Sequence, residues 1–264
     1  MINLRTVNTT RYVVPLREGG SMPAIVEADD DGTYVLKFRG AGQGAKALIA
    51  ELIVGEIARA LGLRVPEIVY INLDAVIGRN EPDYEIRNLI KASDGLNLAL
   101  DYLPGSLAYD ALVTRPLLAE PELASQIVWL DAYTTNIDRT AHNTNMLVWH
   151  KQLWLIDHGA AMYFHHGWDD YREKSRKPFP QIKDHVLLPL ANHLQQVDAE
   201  LTAKLTPDVI TGIINLIPEA WLGDVEHFAT IDEHRAAYVE YLTTRLQEPR
   251  AFLEEAIRAR SLLV

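Results

Sequence analysis

Apolar and polar positions alternate in short runs over the first hundred residues and then shift to helical spacing. Pro23–Ala28 (PAIVEA) and Thr33–Phe38 (TYVLKF) read as strands, and the DDDG segment ending at Gly32 joins them with a hairpin signal. The loop RGAGQG (Arg39–Gly44) leads into a helix over Ala45–Leu61 (AKALIAELIVGEIARAL), which Gly62 is placed to end. VPEIVYINL (Val65–Leu73) and the stretch Asn88–Leu103 read as further strands. After LPGS (Leu103–Ser106) the pattern turns helical over Leu107–Ala132, with a fresh start at Glu120-Pro121. NMLVWHKQLWLIDHG reads as a tight hairpin, Met146–Trp149 and Leu153–Ile156 around a turn near Lys151. Two short helices are expected over Asp198–Leu216, the second opened by Pro207, and one long helix over Ile231–Arg260, bent near Pro249. The expected layout is an α+β chain in two lobes: a small β-rich lobe over residues 1–103 and a larger helical lobe over 104–264, with a ligand cleft between them.

Composition narrows the function classes. The chain has 264 residues, 48% hydrophobic and 23% charged, which suits a globular protein with a sizeable core. A formal net charge of −11 disfavours nucleic acid as a partner. With no cysteine, disulfides, thiolate catalysis and Cys-bound zinc are excluded. MINLRTVNTT lacks the apolar core of a signal peptide, and no apolar run approaches the ~20 residues of a membrane helix. No polybasic or basic amphipathic stretch points to a lipid surface. The expected location is the cytoplasm.

Four segments carry candidate chemistry. In Asp138-Arg139-Thr140-Ala141-His142-Asn143 an Asp and an Asn stand five apart, the spacing of the protein-kinase catalytic loop. There a carboxylate faces the acceptor hydroxyl, and an amide oxygen a turn away can ligate a hard cation. Asp157, directly after the apolar run LWLI, is one hairpin beyond Asn143, and the hairpin can return it beside Asn143 as a metal ligand. Gly159 would permit a sharp exit; the plainer alternative is a solvated strand-end Asp. Lys37, inside an apolar strand, must be outward-facing or paired. Glu51 is its better partner, since it shares a helix face with Leu48, Gly55 and Ala58, whereas Glu56 has Arg59 three residues on for a surface pair. Gly19, Gly20 and Ser21 form a candidate phosphate-cradling loop or a plain turn. Gly40, Gly42 and Gly44 read better as a flexible surface loop. Nine histidines include His142, His158, His165 and His166, but no H-E-x-x-H spacing supports a metal hydrolase.

Taken in order, TYVLKF, AELIVGEIARALGLRVPE, NIDRTAHNTNMLV and LWLIDHGAAMYF resemble the HipA-like kinases and, more distantly, the phosphatidylinositol kinases. The resemblance spans roughly residues 19–164. It implies a two-lobed protein-kinase-like fold and phosphoryl transfer from ATP with Mg²⁺ to a hydroxyl acceptor, protein Ser/Thr or a small molecule. By position it makes Lys37 the phosphate lysine and Glu51 its partner, Asp138 the catalytic Asp, and Asn143 and Asp157 the Mg²⁺ ligands. Leu98–Leu103 is expected to offer backbone groups to adenine. The alternative is a pseudokinase or partner-binding module with the same fold and no turnover. Full HipA proteins carry an extra N-terminal region and commonly pair with a DNA-binding antitoxin, whereas this chain reads as starting almost at the kinase core, so the resemblance leaves a toxin role and such a partner open.

Overall fold

The structure is a computed structural model that describes residues 3–16, 22–110, 120–224 and 226–263. Its first half is built on a closed five-stranded barrel, in the order β1 (Thr6–Pro15), β2 (Ala24–Ala28), β3 (Thr33–Lys37), β5 (Gly95–Asp101), β4 (Ile68–Leu73). β1 closes it by pairing antiparallel with β2 and parallel with β4. The β2–β3 hairpin forms as expected, although Asp31 (φ 62°), not Gly32, is its left-handed residue. β1 gives little sequence signal because only Val7 in it is fully buried, so no apolar alternation marks it.

In β3 the period of two turns Tyr34 and Leu36 into the barrel and sends Val35 and Lys37 to the outer face. Helix α1 (Ala45–Leu61) is packed with the other helices and shares a core with Leu98 and Leu100 of β5. It ends at Gly62 in the left-handed conformation (φ 91°), as the sequence predicts. Gly55 permits a close approach to β4: a Cβ there would come within 2.5 Å of Ile68 Cδ1. The strand expected over Asn88–Leu103 is shorter. Tyr84–Ala92 is helix α2, capped by the Asp83 side chain, and its Ile86, Leu89 and Ile90 cover the barrel core at helical spacing.

Beyond the barrel, β6 (Leu107–Ala108), β7 (Met146–Trp149) and β8 (Gln152–Leu155) form a small antiparallel sheet. Leu107–Ala108 is thus strand where a helix was expected. Residues 111–119 of the helical stretch expected over Leu107–Ala132 lie outside the described residues. Helix α3 (Pro121–Thr134) does start at the anticipated proline. The β7–β8 turn places His150 and Lys151 at φ 48° and 59°, as a two-residue hairpin requires. After α4 (Tyr171–Ser175) come α5 (Leu194–Lys204) and α6 (Pro207–Ile214), the two short helices expected. The single long helix expected over Ile231–Arg260 is instead two, α7 (Ile231–Arg245) and α8 (Ala251–Ser261). Pro249 lacks the N–H that a continuous helix would need there, so the bend is a break. Among the described residues no helix is long and apolar enough to cross a membrane.

Candidate active site

The outer face of β3, the start of α1 and the loop after α3 enclose a cleft of about 460 Å³. Lys37, Glu51, Asp138, Asn143 and Asp157 all line it, so the structure gathers these five sequence-expected residues. Gly19, Gly20 and Ser21 lie outside the described residues.

Lys37 donates to Asp157 Oδ1 at 2.7 Å and stands 3.7 Å from Glu51 Oε2. Burial opposes the Lys37 charge, but Glu51 and then Asp157 overcome it and hold its pKa above the ordinary lysine value. Burial also works against the Asp157 carboxylate, yet Lys37 brings its pKa below the ordinary range. For Glu51 burial prevails over Lys37, and its pKa is raised. Glu51 Oε2 accepts the backbone N–H of His158 at 2.8 Å, which ties α1 to the segment carrying Asp157. Glu51 is therefore the lysine partner expected. The Glu56–Arg59 pair also exists, at 3.4 Å, but Glu56 is buried rather than at the surface.

Asp138 follows α3, which ends at Thr135 in the left-handed conformation (φ 55°). Asn136 Oδ1 accepts the Asp138 N–H at 3.1 Å. One carboxylate oxygen of Asp138, Oδ2, accepts from Asn143 Nδ2 at 2.8 Å and from Asn145 Nδ2 at 3.2 Å. The two amides fix the carboxylate and leave Oδ1 available to the cleft. With Nδ2 engaged, Asn143 has its carbonyl oxygen to offer. The β7–β8 hairpin brings the chain back as expected: Ile156 N–H donates to Asn145 O at 3.1 Å, and Asp157 follows. The sharp turn is made by Asp157 itself (φ 55°), not by Gly159, where an added Cβ would find ordinary contacts.

Beneath the loop lies a buried polar cluster that the sequence reading missed. Arg139, with a fully buried side chain, donates to Asp131 Oδ2 at 2.6 Å, to the Asn145 carbonyl, and to His158 Nδ1 at 3.2 Å. Asp131 Oδ2 also receives His185 Nε2 at 2.9 Å. Leu187 N–H donates to His185 Nδ1, so His185 is the neutral Nε2–H tautomer. Burial drives the His185 pKa down and, with Arg139 next, that of His158 down to about 3. Asp131 stays ionised despite burial, because Arg139 and His185 hold its pKa far below the usual range. Signals were thin: Arg139 sits inside the Asp138–Asn143 motif, and Asn145 just beyond it.

The Arg39–Gly44 loop is anchored rather than a free surface loop. Arg39 N–H donates to Asn97 Oδ1 at 2.8 Å and Gly40 N–H to Ser93 Oγ at 3.0 Å. Ala41, Gly42 and Gln43 line the cleft beside the first turn of α1, whose N-cap Gly44 provides no side-chain cap. None of Leu98–Leu103 lines it, and the N–H groups of Asp101 and Tyr102 are bonded to Glu67 and Thr33. Trp149 and Trp154 pack edge to face at 5.4 Å on the hairpin. His142 is exposed. Among the described residues no group of three or more His, Asp or Glu is arranged to hold a metal alone.

A β-barrel carrying a Lys–Glu pair, facing an Asp–Asn loop and a returning Asp, defines a kinase-like fold. The chain resembles the Helicobacter pylori proinflammatory kinase CtkA, with 14% identity, a TM-score of 0.58, and 98% of this chain and 99% of that one covered. It also resembles the Golgi casein kinase with Mn/ADP bound, with 12% identity, a TM-score of 0.50, and 94% and 75% covered. Another structure of the Golgi casein kinase matches at 11% identity and a TM-score of 0.51, with 97% and 72% covered. The HipA-like kinase family model matches residues 11–253, and the chain belongs to that family. No curated protein sequence matches it.

Proposed function

We propose that the chain is an ATP- and Mg²⁺-dependent phosphotransferase that moves the γ-phosphate to a hydroxyl acceptor, a protein Ser or Thr. The reading rests on one observation: Lys37, Glu51, Asp138, Asn143 and Asp157 line a single cleft. In this reading residues 1–103 and 104–264 act as two lobes with the nucleotide between them. Lys37 exchanges its contact with Asp157 for the phosphates, and Glu51 keeps it in place. Asp138, oriented by Asn143 and Asn145, receives the acceptor hydroxyl proton on Oδ1. Asn143 and Asp157 would hold Mg²⁺, which neutralises charge on the phosphates. They fit it, being hard oxygen donors, and Mg²⁺ habitually completes its shell with phosphate oxygens and water. The N–H groups at Gly42 and Gln43 and the uncapped start of α1 add a positive cradle for phosphate. Gly19, Gly20 and Ser21 keep the sequence-based role of a candidate phosphate-cradling loop.

Thermal unfolding with and without ATP and Mg²⁺ tests the site. At about 100 times Kd, ligand adds about 2.7 kcal/mol, roughly 5–10 °C for a domain of this size. Asp157→Ala should abolish the Mg²⁺-dependent shift. Asp138→Asn should keep it while ADP release from ATP falls at least about a hundredfold. No shift at millimolar ATP would overturn the nucleotide site, and undiminished turnover in Asp138→Asn would remove Asp138 from its role.

A further inference from the structure

Asn143 and Asn145 both donate to the same oxygen of Asp138, but they sit in different places. Asn143 is exposed and lines the cleft. Asn145 is buried and takes no part in the lining. Its Nδ2 donates to Asp138 Oδ2 at 3.2 Å and to the Asp138 carbonyl at 3.3 Å, so one side chain braces both the carboxylate and the main chain of that residue. The Asn145 carbonyl in turn accepts from the buried Arg139 guanidinium and from the N–H of Ile156 at 3.1 Å, one residue before Asp157. Asn145 has φ 46°, in the left-handed region that Gly, Asn and Asp enter most readily. Gly has no side chain and an ionised Asp has no donor, so the position calls for Asn.

The two amides are not equivalent once a cation is bound. The oxygen and nitrogen of Asn143 belong to one planar group, so drawing the oxygen to a cation moves its hold on Asp138. Asn145 lines no part of the cleft and keeps its bond. We propose that Asn145 is the positioning residue of Asp138, fixing Oδ2 and leaving Oδ1 for the acceptor while Asn143 serves the metal. The inference rests on the phosphotransfer reading and adds to it this division between the two amides.

Side-chain amide resonances of the ¹⁵N-labelled full-length protein read the division without turnover, assigned by their loss in Asn143→Ala and Asn145→Gly. ADP with Mg²⁺ should move the Asn143 resonance saturably and leave that of Asn145 in place. Turnover reads the positioning. Asn145→Gly, which keeps the left-handed backbone, should lower kcat for ADP release from ATP at least about tenfold, the effect of one lost hydrogen bond to a charged group, with the KM for ATP unchanged. Asn145→Asp, similar in shape but without a donor, should lose at least as much. In an Asp138→Asn background Asn145→Gly should cost nothing further, because it acts through Asp138; a residue that merely supports the fold would cost the same factor again. A full further loss there, wild-type kcat in either Asn145 variant, or a raised KM in place of a lowered kcat would overturn the proposal. So would an Asn145 resonance that moves as far as that of Asn143, or an Asn143 resonance that stays put in an active protein. If neither resonance moves and the wild type shows no turnover, the phosphotransfer reading falls and this inference with it.

Discussion

Arg139 ties together three of the segments that carry the site. It bonds Asp131 of α3, the Asn145 carbonyl after the loop, and His158 beside Asp157. Glu51 then takes the His158 N–H, so a polar chain runs from Lys37 on β3 to Asp131. Removing one partner of a buried ion pair strands the other, at a cost of about 3–5 kcal/mol. Arg139→Met should therefore destabilise the protein by about that amount, read as a lower urea midpoint. Pairing it with Asp131→Leu should recover part of the loss, since both charges then leave together. A double variant no better than Arg139→Met would show that Asp131 does not depend on Arg139. None of this was legible beforehand. Lys37, Asp138, Asn143 and Asp157 stand out because a functional spacing or an apolar flank frames each of them. Asp131 has no such frame, and its partner His185 is 54 residues away.

Among the elements, those with strong local chemistry matched the sequence most closely. α1 was legible to the residue, because a continuous apolar face ran between two glycines. β1, with a single buried side chain, offered no periodicity, and α2 was mistaken in part for strand because Leu89, Ile90 and their neighbours form a short apolar run. The start of α1 carries a constraint that its sequence only hinted at. Gly44 sits at φ 66° and ψ −146°, a conformation essentially reserved for glycine. A Cβ there has room, since its nearest neighbour would be Arg39 O at 3.9 Å, so the cost of Gly44→Ala is backbone strain. About 1–3 kcal/mol of stability should be lost in a urea titration. Unchanged stability would mean that the Arg39–Gly44 loop is free to adopt another path.

Among the described residues the molecule has two apolar cores, one inside the barrel and one among the helices that includes α1, with β4 and β5 contributing side chains to both. Several histidines are buried with the second. Burial lowers the pKa of His158 to about 3 and that of His234 to about 4, and it also lowers those of His165 and His185. In the unfolded chain each titrates near 6.5. Because the folded values are the lower ones, their stabilisation is complete above about pH 6.5 and is lost as pH falls toward the folded values. For His158 the loss between pH 6.5 and 5 is about 2 kcal/mol. Glu51 and Glu56, with raised pKa values, work in the opposite direction on acidification. The guanidinium midpoint should be clearly lower at pH 5 than at pH 7. A midpoint that does not move would mean that these imidazoles accept protons in the native state.

Barrel closure has a consequence for the company the protein keeps. An open sheet ends in strands whose unused N–H and C=O groups invite a strand from another molecule. Here β1 is paired on both sides, with β2 and with β4, so the five-stranded ring has no terminal strand. Beyond its three pairs with β4, only the Thr9–Pro15 part of β1 leaves a second chain a ladder to extend, which narrows one common route to aggregation in the half of the molecule richest in β-structure.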